Sequence, residues 1–300
     1  MMKSVTAIVP TYNHAAVLPR AIESVLQQSH PVDEIIVLDD GSTDNTSDVV
    51  KSYLPRVRYV RQENRGLSAA RNAAIRLATS EWIAPLDADD YWLPQKIAKQ
   101  LEVVSASPNV TLVYNSIYLE HPGGERLLME ATPIGQLWPN LRFRNCITGS
   151  GSSVLMKREE AVAAGLFDET LTACEDWDLW IRMAIAHEFA CVGEPLAVIS
   201  ESPGSMSKHP HRMLRNTQRI MDRSLLLGLR GMRRLVWRRR VWAAALYSAA
   251  LAARHGTEES ATRFLWQSLV QWPSPTFLPG RWAALGSEML RPGERRAPGL

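Results

Sequence analysis

The feature that most constrains the fold of this chain is a regular alternation of short apolar runs with helical patterns. The apolar runs are Val5–Val9, Ile35–Leu38, Val57–Val60, Trp82–Leu86 and Val110–Tyr114. Between them, apolar side chains recur at the three- and four-residue spacing of an amphipathic helix. Strands that alternate with helices predict an α/β fold, a mostly parallel sheet flanked by helices on both faces.

Polar residues follow three of these predicted strands at the point where each strand ends. They are Thr11 and Asn13, then Asp39 and Asp40, and finally Asp87 and Asp89. Ligands of such sheets bind at the carboxyl ends of the strands. Side chains two apart on extended backbone point to the same side, so Asp87 and Asp89 can converge on a divalent cation. An acidic turn is the alternative for this pair, and helix capping is the alternative for Asn13.

The distribution of charge divides the chain into two parts. Residues 1–200 carry 17 Lys and Arg against 25 Asp and Glu, whereas residues 201–300 carry 17 against 6. From about His209 the pattern is purely helical. We therefore predict a catalytic domain over residues 1–205 and a basic helical C-terminal extension over residues 206–300.

Cysteine content and hydropathy indicate the cellular compartment in which the protein is expected. The three cysteines have no disulfide or zinc-site spacing, which favours a reducing environment. Met1-Met2-Lys3-Ser4 runs directly into a strand, so no signal peptide is expected. No apolar stretch reaches the roughly 20 residues that span a bilayer. The longest, Val241–Ala253, fits a buried or interfacial helix, and a cytoplasmic location is expected.

Six short motifs resemble glycosyltransferases of family 2, in the order and approximate spacing of that family, over roughly residues 4–205. They are Ile8–Asn13, Leu38–Asp44, Asn64–Gly66, Ala70–Asn72, Asp87–Asp90 and Glu175–Trp177. The resemblance implies a GT-A fold, a Rossmann-like sheet. It also implies inverting transfer of one sugar from a nucleotide-diphosphate sugar, most commonly UDP-linked, to a hydroxyl acceptor. Surface polysaccharide or glycolipid synthesis is the implied setting.

The resemblance also implies roles for individual residues on the donor side. Asp39 matches a contact to the nucleotide base, while Pro10, Thr11 and Asn13 match the loop beside the nucleotide. Arg71 matches a residue that faces the diphosphate or the loop carrying it. Asp87 matches a contact to the ribose or to a metal-bound water, and Asp89 matches the ligand of Mn²⁺ or Mg²⁺.

On the acceptor side, Asp176 matches the catalytic base, and Glu175 beside it is assigned to substrate binding. A helix N-terminus also stabilises carboxylates, which is the structural alternative for this pair. Gly149–Ser153 is expected to shape the acceptor pocket. Arg281-Trp282 preserves only half of the Gln-x-x-Arg-Trp motif of processive synthases, which favours a non-processive enzyme.

Two other functions remain open at this stage. A phosphotransferase with a nucleophilic Asp-x-Asp motif would place that motif after an early strand, whereas here it follows the fourth. A non-catalytic nucleotide-sugar sensor would not need Asp176.

The basic extension raises the question of a further partner. Its arginines cluster at Arg230, Arg233, Arg234, Arg238, Arg239 and Arg240, among leucines and tryptophans. Such a helix suits the surface of an anionic membrane, which predicts peripheral contact with the inner face of the cytoplasmic membrane. Packing of Trp237 and Trp242 on the catalytic domain is the alternative. Nucleic acid is disfavoured, because a glycan or lipid-linked acceptor is expected.

Overall fold

The computed structural model describes residues 3–133, 137, 140–201, 209–225, 228–253, 261–274, 276–278 and 280–290. The chain divides into two compact units, Met1–Pro203 and Gly204–Leu300. Each unit has its own hydrophobic cluster.

The first unit is built on one mixed sheet. Its strands are β1 (Val5–Thr11), β2 (Glu34–Asp39), β3 (Arg58–Arg61), β4 (Trp82–Pro85), β5 (Tyr91–Trp92), β6 (Val110–Glu120), β7 (Arg126–Met129), β8 (Leu155–Lys157) and β9 (Glu188–Ser200). The strand order is β3-β2-β1-β4-β8-β6-β9-β5, and β7 pairs with β6.

Helices connect and cover this sheet. They are α1 (Leu18–Leu26), α2 (Thr46–Lys51), α3 (Leu67–Leu77), α4 (Lys96–Ala106), α5 (Arg158–Ala163) and α6 (Glu175–Ala184), with a 3₁₀ turn over Ser150–Ser153. All seven residues of β1 are buried, as expected for a strand covered on both faces. The predicted α/β class is confirmed.

The strands are all parallel in the first half of the sheet and of mixed orientation in the second. Strands β3, β2, β1 and β4 are parallel, so their carboxyl ends meet at one edge. β8 then pairs antiparallel with both β4 and β6. The last strand of this unit, β9, is 13 residues long and pairs parallel with β6. Its register with β6 is irregular where Asn115 faces Val192 and Ser116 faces Pro195.

The second unit is helical in its described residues. Its helices are α7 (Pro210–Ile220), α8 (Gly231–Ala253), α9 (Ala261–Gln271) and α10 (Gly280–Leu290), and a π-helical turn over Met221–Leu225 follows α7. Arg281 is fully buried and donates to the carbonyl oxygens of Phe277, Ser268 and Ser274. Its guanidinium therefore holds the chain before α10. Among the described residues, no helix has both the length and the apolar character needed to cross a membrane.

Candidate active site

The ends of β1 and β2 bring two predicted donor residues side by side. Thr11 pairs in register with Asp39, and both are the last residues of their strands. Pro10 precedes Thr11 in β1. The Thr11 hydroxyl is buried and has no hydrogen-bond partner within the described structure. A buried hydroxyl without a partner is unusual, and a bound ligand would satisfy it.

The loop after β1 is tied to the loop after β2 by Asn13. Asn13 has a left-handed backbone (φ 55°), and its amide oxygen accepts a hydrogen bond from the Thr43 N–H at 2.7 Å. Its own N–H donates to the Ser42 hydroxyl at 2.9 Å. Helix α1 begins later, with Val17 at the N-cap position and no side-chain cap. Asn13 thus joins two strand-end loops and does not cap α1.

Asp39 is completely buried, and its carboxylate is held from two sides. One oxygen accepts the Ser42 N–H at 2.7 Å, and the other accepts the Tyr59 hydroxyl at 2.5 Å. Burial, followed by the hydrogen bond to Asp39, raises the pKa of Tyr59 well above its usual range. Tyr59 therefore stays protonated as a donor and orients the carboxylate.

Asp40 organises the loop before α3, a role that its sequence context does not reveal. Its carboxylate accepts the Arg65 N–H at 3.0 Å and the Gly66 N–H at 2.7 Å. Gly41 beside it has φ 81°, and a Cβ there would lie 2.9 Å from the Asn64 backbone nitrogen. Only glycine fits this close approach without displacement. The loop is thereby fixed where α3 begins.

Arg71, on α3, joins two other predicted site residues, Asp87 and Glu175. Its side chain is 1% exposed, and one terminal nitrogen donates to both Asp87 oxygens at 2.6 and 2.9 Å. The other donates to the Glu175 carboxylate at 2.8 Å. Burial alone would lower the pKa of Arg71, but the charges of Asp87 and Glu175 raise it instead. Because each terminal nitrogen donates to a carboxylate, the guanidinium of Arg71 links Asp87 to Glu175.

Asp89 lies two residues beyond Asp87. It is partly buried, and no described side chain donates a hydrogen bond to its carboxylate. Burial, and then the charge of Asp87, raise the pKa of Asp89, while the charges of His14 and Arg20 act to lower it. Across the described residues, no group of three or more His, Cys, Asp or Glu could hold a metal ion. The carboxylate of Asp89 has the chemistry of a ligand for a divalent cation that takes further ligands from water and phosphate.

Asp90, the last residue of the Asp87–Asp90 segment, points into the protein interior. It is 4% exposed and accepts the Ser152 hydroxyl at 2.6 Å and the Ser200 N–H at 2.9 Å. Burial raises the pKa of Asp90 well above its usual value, and the charge of Asp87 adds to this effect. Asp90 therefore fixes the loop that carries Asp87 and Asp89 to β9 and to the 3₁₀ turn.

Asp176 lies in the first turn of α6, where the sequence placed it. It is 7% exposed, and one oxygen accepts hydrogen bonds from the Asn145 amide at 2.7 Å and the Ser150 hydroxyl at 2.6 Å. The other oxygen accepts the Trp177 N–H at 2.7 Å. Burial, with the charge of Asp176 added, raises the pKa of Glu175, while Arg71 opposes the rise. Glu175 is thus bound to Arg71, and Asp176 faces the 145–150 loop.

Comparison with solved structures identifies the fold class. S. aureus TarS 1–349 in complex with UDP-GlcNAc has a TM-score of 0.63 at 14% identity, over 95% of this chain and 89% of that chain. The mannosyltransferase PcManGT from Pyrobaculum calidifontis, in complex with GDP-Man and Mn²⁺, has a TM-score of 0.62 at 20% identity, over 96% and 85%. The fold of this chain is the GT-A fold of these glycosyltransferases.

Sequence comparison then gives the family. Residues 6–160 match the model of glycosyl transferase family 2, and the chain belongs to that family. An uncharacterized glycosyltransferase of Rickettsia conorii is 34% identical over 60% of this chain, which spans 31% of that relative. A putative teichuronic acid biosynthesis glycosyltransferase of Bacillus subtilis, TuaG, is 42% identical over 33% of this chain and 40% of its own length. The chain thus spans less than half of either relative.

Proposed function

We propose that this protein is an inverting, metal-dependent and non-processive glycosyltransferase. It moves one sugar from a nucleotide-diphosphate sugar, UDP-linked, to a hydroxyl of a glycan or lipid-linked acceptor. The observation that carries the proposal is the guanidinium of Arg71, which joins Asp87 of the donor side to Glu175 beside Asp176. One buried cation thus connects the two halves of a transfer site.

On the donor side, the nucleotide binds across the ends of β1 and β2. Asp39 accepts a hydrogen bond from a ring N–H of the base. Thr11, whose hydroxyl has no partner among the described residues, is next to Asp39 on the neighbouring strand. Arg71 fixes Asp87 for the ribose or for a metal-bound water. The complexes of TarS with UDP-GlcNAc and of PcManGT with GDP-Man support this class of donor.

The metal belongs at Asp89, with Asp87 beside it. The raised pKa of Asp89 and its lack of a described side-chain donor fit a carboxylate that pairs with a cation. When bound, Mn²⁺ or Mg²⁺ supplies charge neutralisation for the departing diphosphate. The protein orients Asp89 through its neighbour Asp90, whose buried carboxylate fixes the loop by hydrogen bonds to Ser152 and Ser200.

On the acceptor side, Asp176 removes the proton of the attacking hydroxyl. Glycosyl transfer passes through an oxocarbenium-like state, and a positioned base assists as attack begins. Direct attack by the acceptor inverts the anomeric centre and needs no covalent intermediate. Glu175 is bound to Arg71, so Asp176 is the carboxylate of this turn assigned to the acceptor.

The assay that tests this proposal measures nucleoside-diphosphate release with and without acceptor. Donors are first selected from a panel of UDP- and GDP-sugars by thermal shift with Mn²⁺. A transferase releases nucleoside diphosphate faster when acceptor glycan is present. A sensor would bind donor without acceptor-dependent release, and a phosphotransferase would transfer phosphate instead, so either result contradicts the proposal.

We also propose that the second unit binds the cytoplasmic face of an anionic membrane, which would bring the enzyme to lipid-linked acceptors. The start of α8 exposes Met232 (72%) and Leu235 (52%) together with Arg233 and Arg238, and Arg230 just before the helix is exposed as well. Each basic group near an anionic leaflet contributes on the order of 1 kcal/mol. A putative teichuronic acid enzyme among the relatives supports a cell-envelope setting.

Changing Arg230, Arg233 and Arg238 together to glutamate is expected to abolish flotation with vesicles containing phosphatidylglycerol at low salt. Arg239 and Arg240 are left intact. Arg239 donates to the carbonyl oxygens at the end of α9, and Arg240 lies over Trp237 and Phe277, so both support the fold. The matched control changes Lys51, Arg56 and Arg76 to glutamate, with an equal change in charge. If the wild type does not float, the membrane proposal is wrong.

A further inference from the structure

The loop that faces Asp176 has an unusual backbone. Gly149 (φ 72°) and Ser150 (φ 51°) are consecutive residues in the left-handed region. Serine adopts this conformation only at a cost in backbone energy, and such residues cluster where the surrounding structure fixes them for a function. At Ser150, the conformation accompanies a hydroxyl that donates to the Asp176 carboxylate at 2.6 Å.

The segment that follows Ser150 is anchored from below by buried polar side chains. Trp92 donates to the Ser152 carbonyl at 2.9 Å, and Gln100 donates to the Ser153 carbonyl at 2.8 Å. The fully buried Lys96 donates to the Val154 carbonyl at 3.1 Å. Three side chains from β5 and α4 thus donate hydrogen bonds to three successive backbone carbonyls, which holds the backbone of this turn in place.

The turn is also packed tightly on its other side. A Cβ added at Gly149 would lie 2.8 Å from the Ile117 side chain and 3.1 Å from the Ser153 Cβ. The backbone at Gly149 therefore lies directly against β6. This packing holds in place the backbone that carries Ser150.

Asn145 supplies the second donor to the same oxygen. Its Nδ2 donates to Asp176 Oδ2 at 2.7 Å, while its Oδ1 accepts the Ile147 N–H at 3.2 Å. The second bond fixes which end of the amide faces Asp176. Asn145 and Ser150 thus form a two-donor clamp on Oδ2.

A count of lone pairs shows what this clamp does. An ionised carboxylate offers about four acceptor positions, two on each oxygen. Asn145 and Ser150 use two on Oδ2, and the Trp177 N–H uses one on Oδ1. The position left for a further donor is on Oδ1.

We infer that Asn145 and Ser150 are positioning residues that clamp Oδ2 of Asp176 and thereby select Oδ1 as the atom that receives the acceptor proton. The inference rests on the proposed function, because it takes Asp176 as the base. Among the described residues, the hydrogen bonds of the two side chains go to Asp176 and to the backbone of their own loop. Loss of the clamp would let the carboxylate rotate, so that fewer encounters place Oδ1 against the acceptor hydroxyl.

The test is the kinetics of Ser150→Gly and Asn145→Ala. Glycine keeps the left-handed turn while it removes the hydroxyl, so Ser150→Gly is the variant chosen to preserve the fold. A hydrogen bond to a charged group predicts a fall in kcat of roughly 10- to 100-fold for each variant. KM for the donor stays unchanged. The matched control, Thr148→Val, removes a hydroxyl of the same loop that donates to Asn115, and it retains wild-type kcat.

A double-variant comparison separates positioning from general loosening of the loop. In the Asp176→Asn background, Ser150→Gly is expected to cause no further loss, because the residue acts through Asp176. Losses that multiply would overturn the inference, as would Ser150→Gly with normal kcat in an otherwise wild-type chain. If Asp176→Asn itself keeps full turnover, the assignment of the base fails, and that outcome is distinct from failure of the clamp alone.

Discussion

Asp89→Ala is expected to abolish detectable turnover and to weaken donor binding while the fold stays intact. Asp89 is partly buried, and no hydrogen bond from a described side chain supports its carboxylate, so its removal disturbs few internal contacts. The proposed metal would lose its direct ligand. Asp87 would not replace Asp89, because its carboxylate is already paired with Arg71. Donor affinity is measured by thermal shift with Mn²⁺ present and absent, and the wild type, unlike Asp89→Ala, should show a large metal-dependent shift.

The control for Asp89→Ala is Asp48→Ala. Asp48 is an exposed carboxylate on α2, and its side chain is 72% accessible. This variant should retain both turnover and the metal-dependent shift. Full wild-type activity in excess chelator would show that the reaction does not use a metal at Asp89.

Asp176→Asn is expected to reduce kcat by roughly 10²- to 10⁴-fold, the range for loss of general acid–base assistance. Donor KM should change little, since the proposal assigns Asp176 to the acceptor, and Arg71 pairs with Glu175. The substitution keeps the size of the side chain and one oxygen acceptor. Steady-state kinetics with saturating donor and varied acceptor measure the effect, and thermal unfolding confirms that the variant is folded.

Glu159→Gln is the matched control for this substitution. Glu159 is an exposed acid in the first turn of α5, so the change removes one charge from a helix N-terminus of the same unit. It should leave kcat unaltered. Near-wild-type turnover by Asp176→Asn would show that another residue is the base, and Glu175 would be the next residue to substitute.

Several features of the site could be predicted because they depend on short-range patterns. Thr11, Asp39 and Asp87 each end or directly follow an apolar run, and a parallel sheet brings such ends to one edge. Asp176 could be placed at a helix N-terminus because Trp177 and Trp180 begin a helical pattern after it. Asp40 follows the same apolar run as Asp39, but its role in fixing the loop before α3 could not be predicted, since its partners are backbone N–H groups about 25 residues away.

The sequence by itself determined the α/β class, the parallel half of the sheet, and the carboxylates at its edge. Residues two or four apart decide these features, and their periodicity can be read directly from the chain. Only the tertiary structure decided that Arg71 joins Asp87 to Glu175, which lies 104 residues away, and that Ser150 and Asn145 hold Asp176. Local periodicity carries no information about such pairs, because packing of β8 between β4 and β6 brings these segments together.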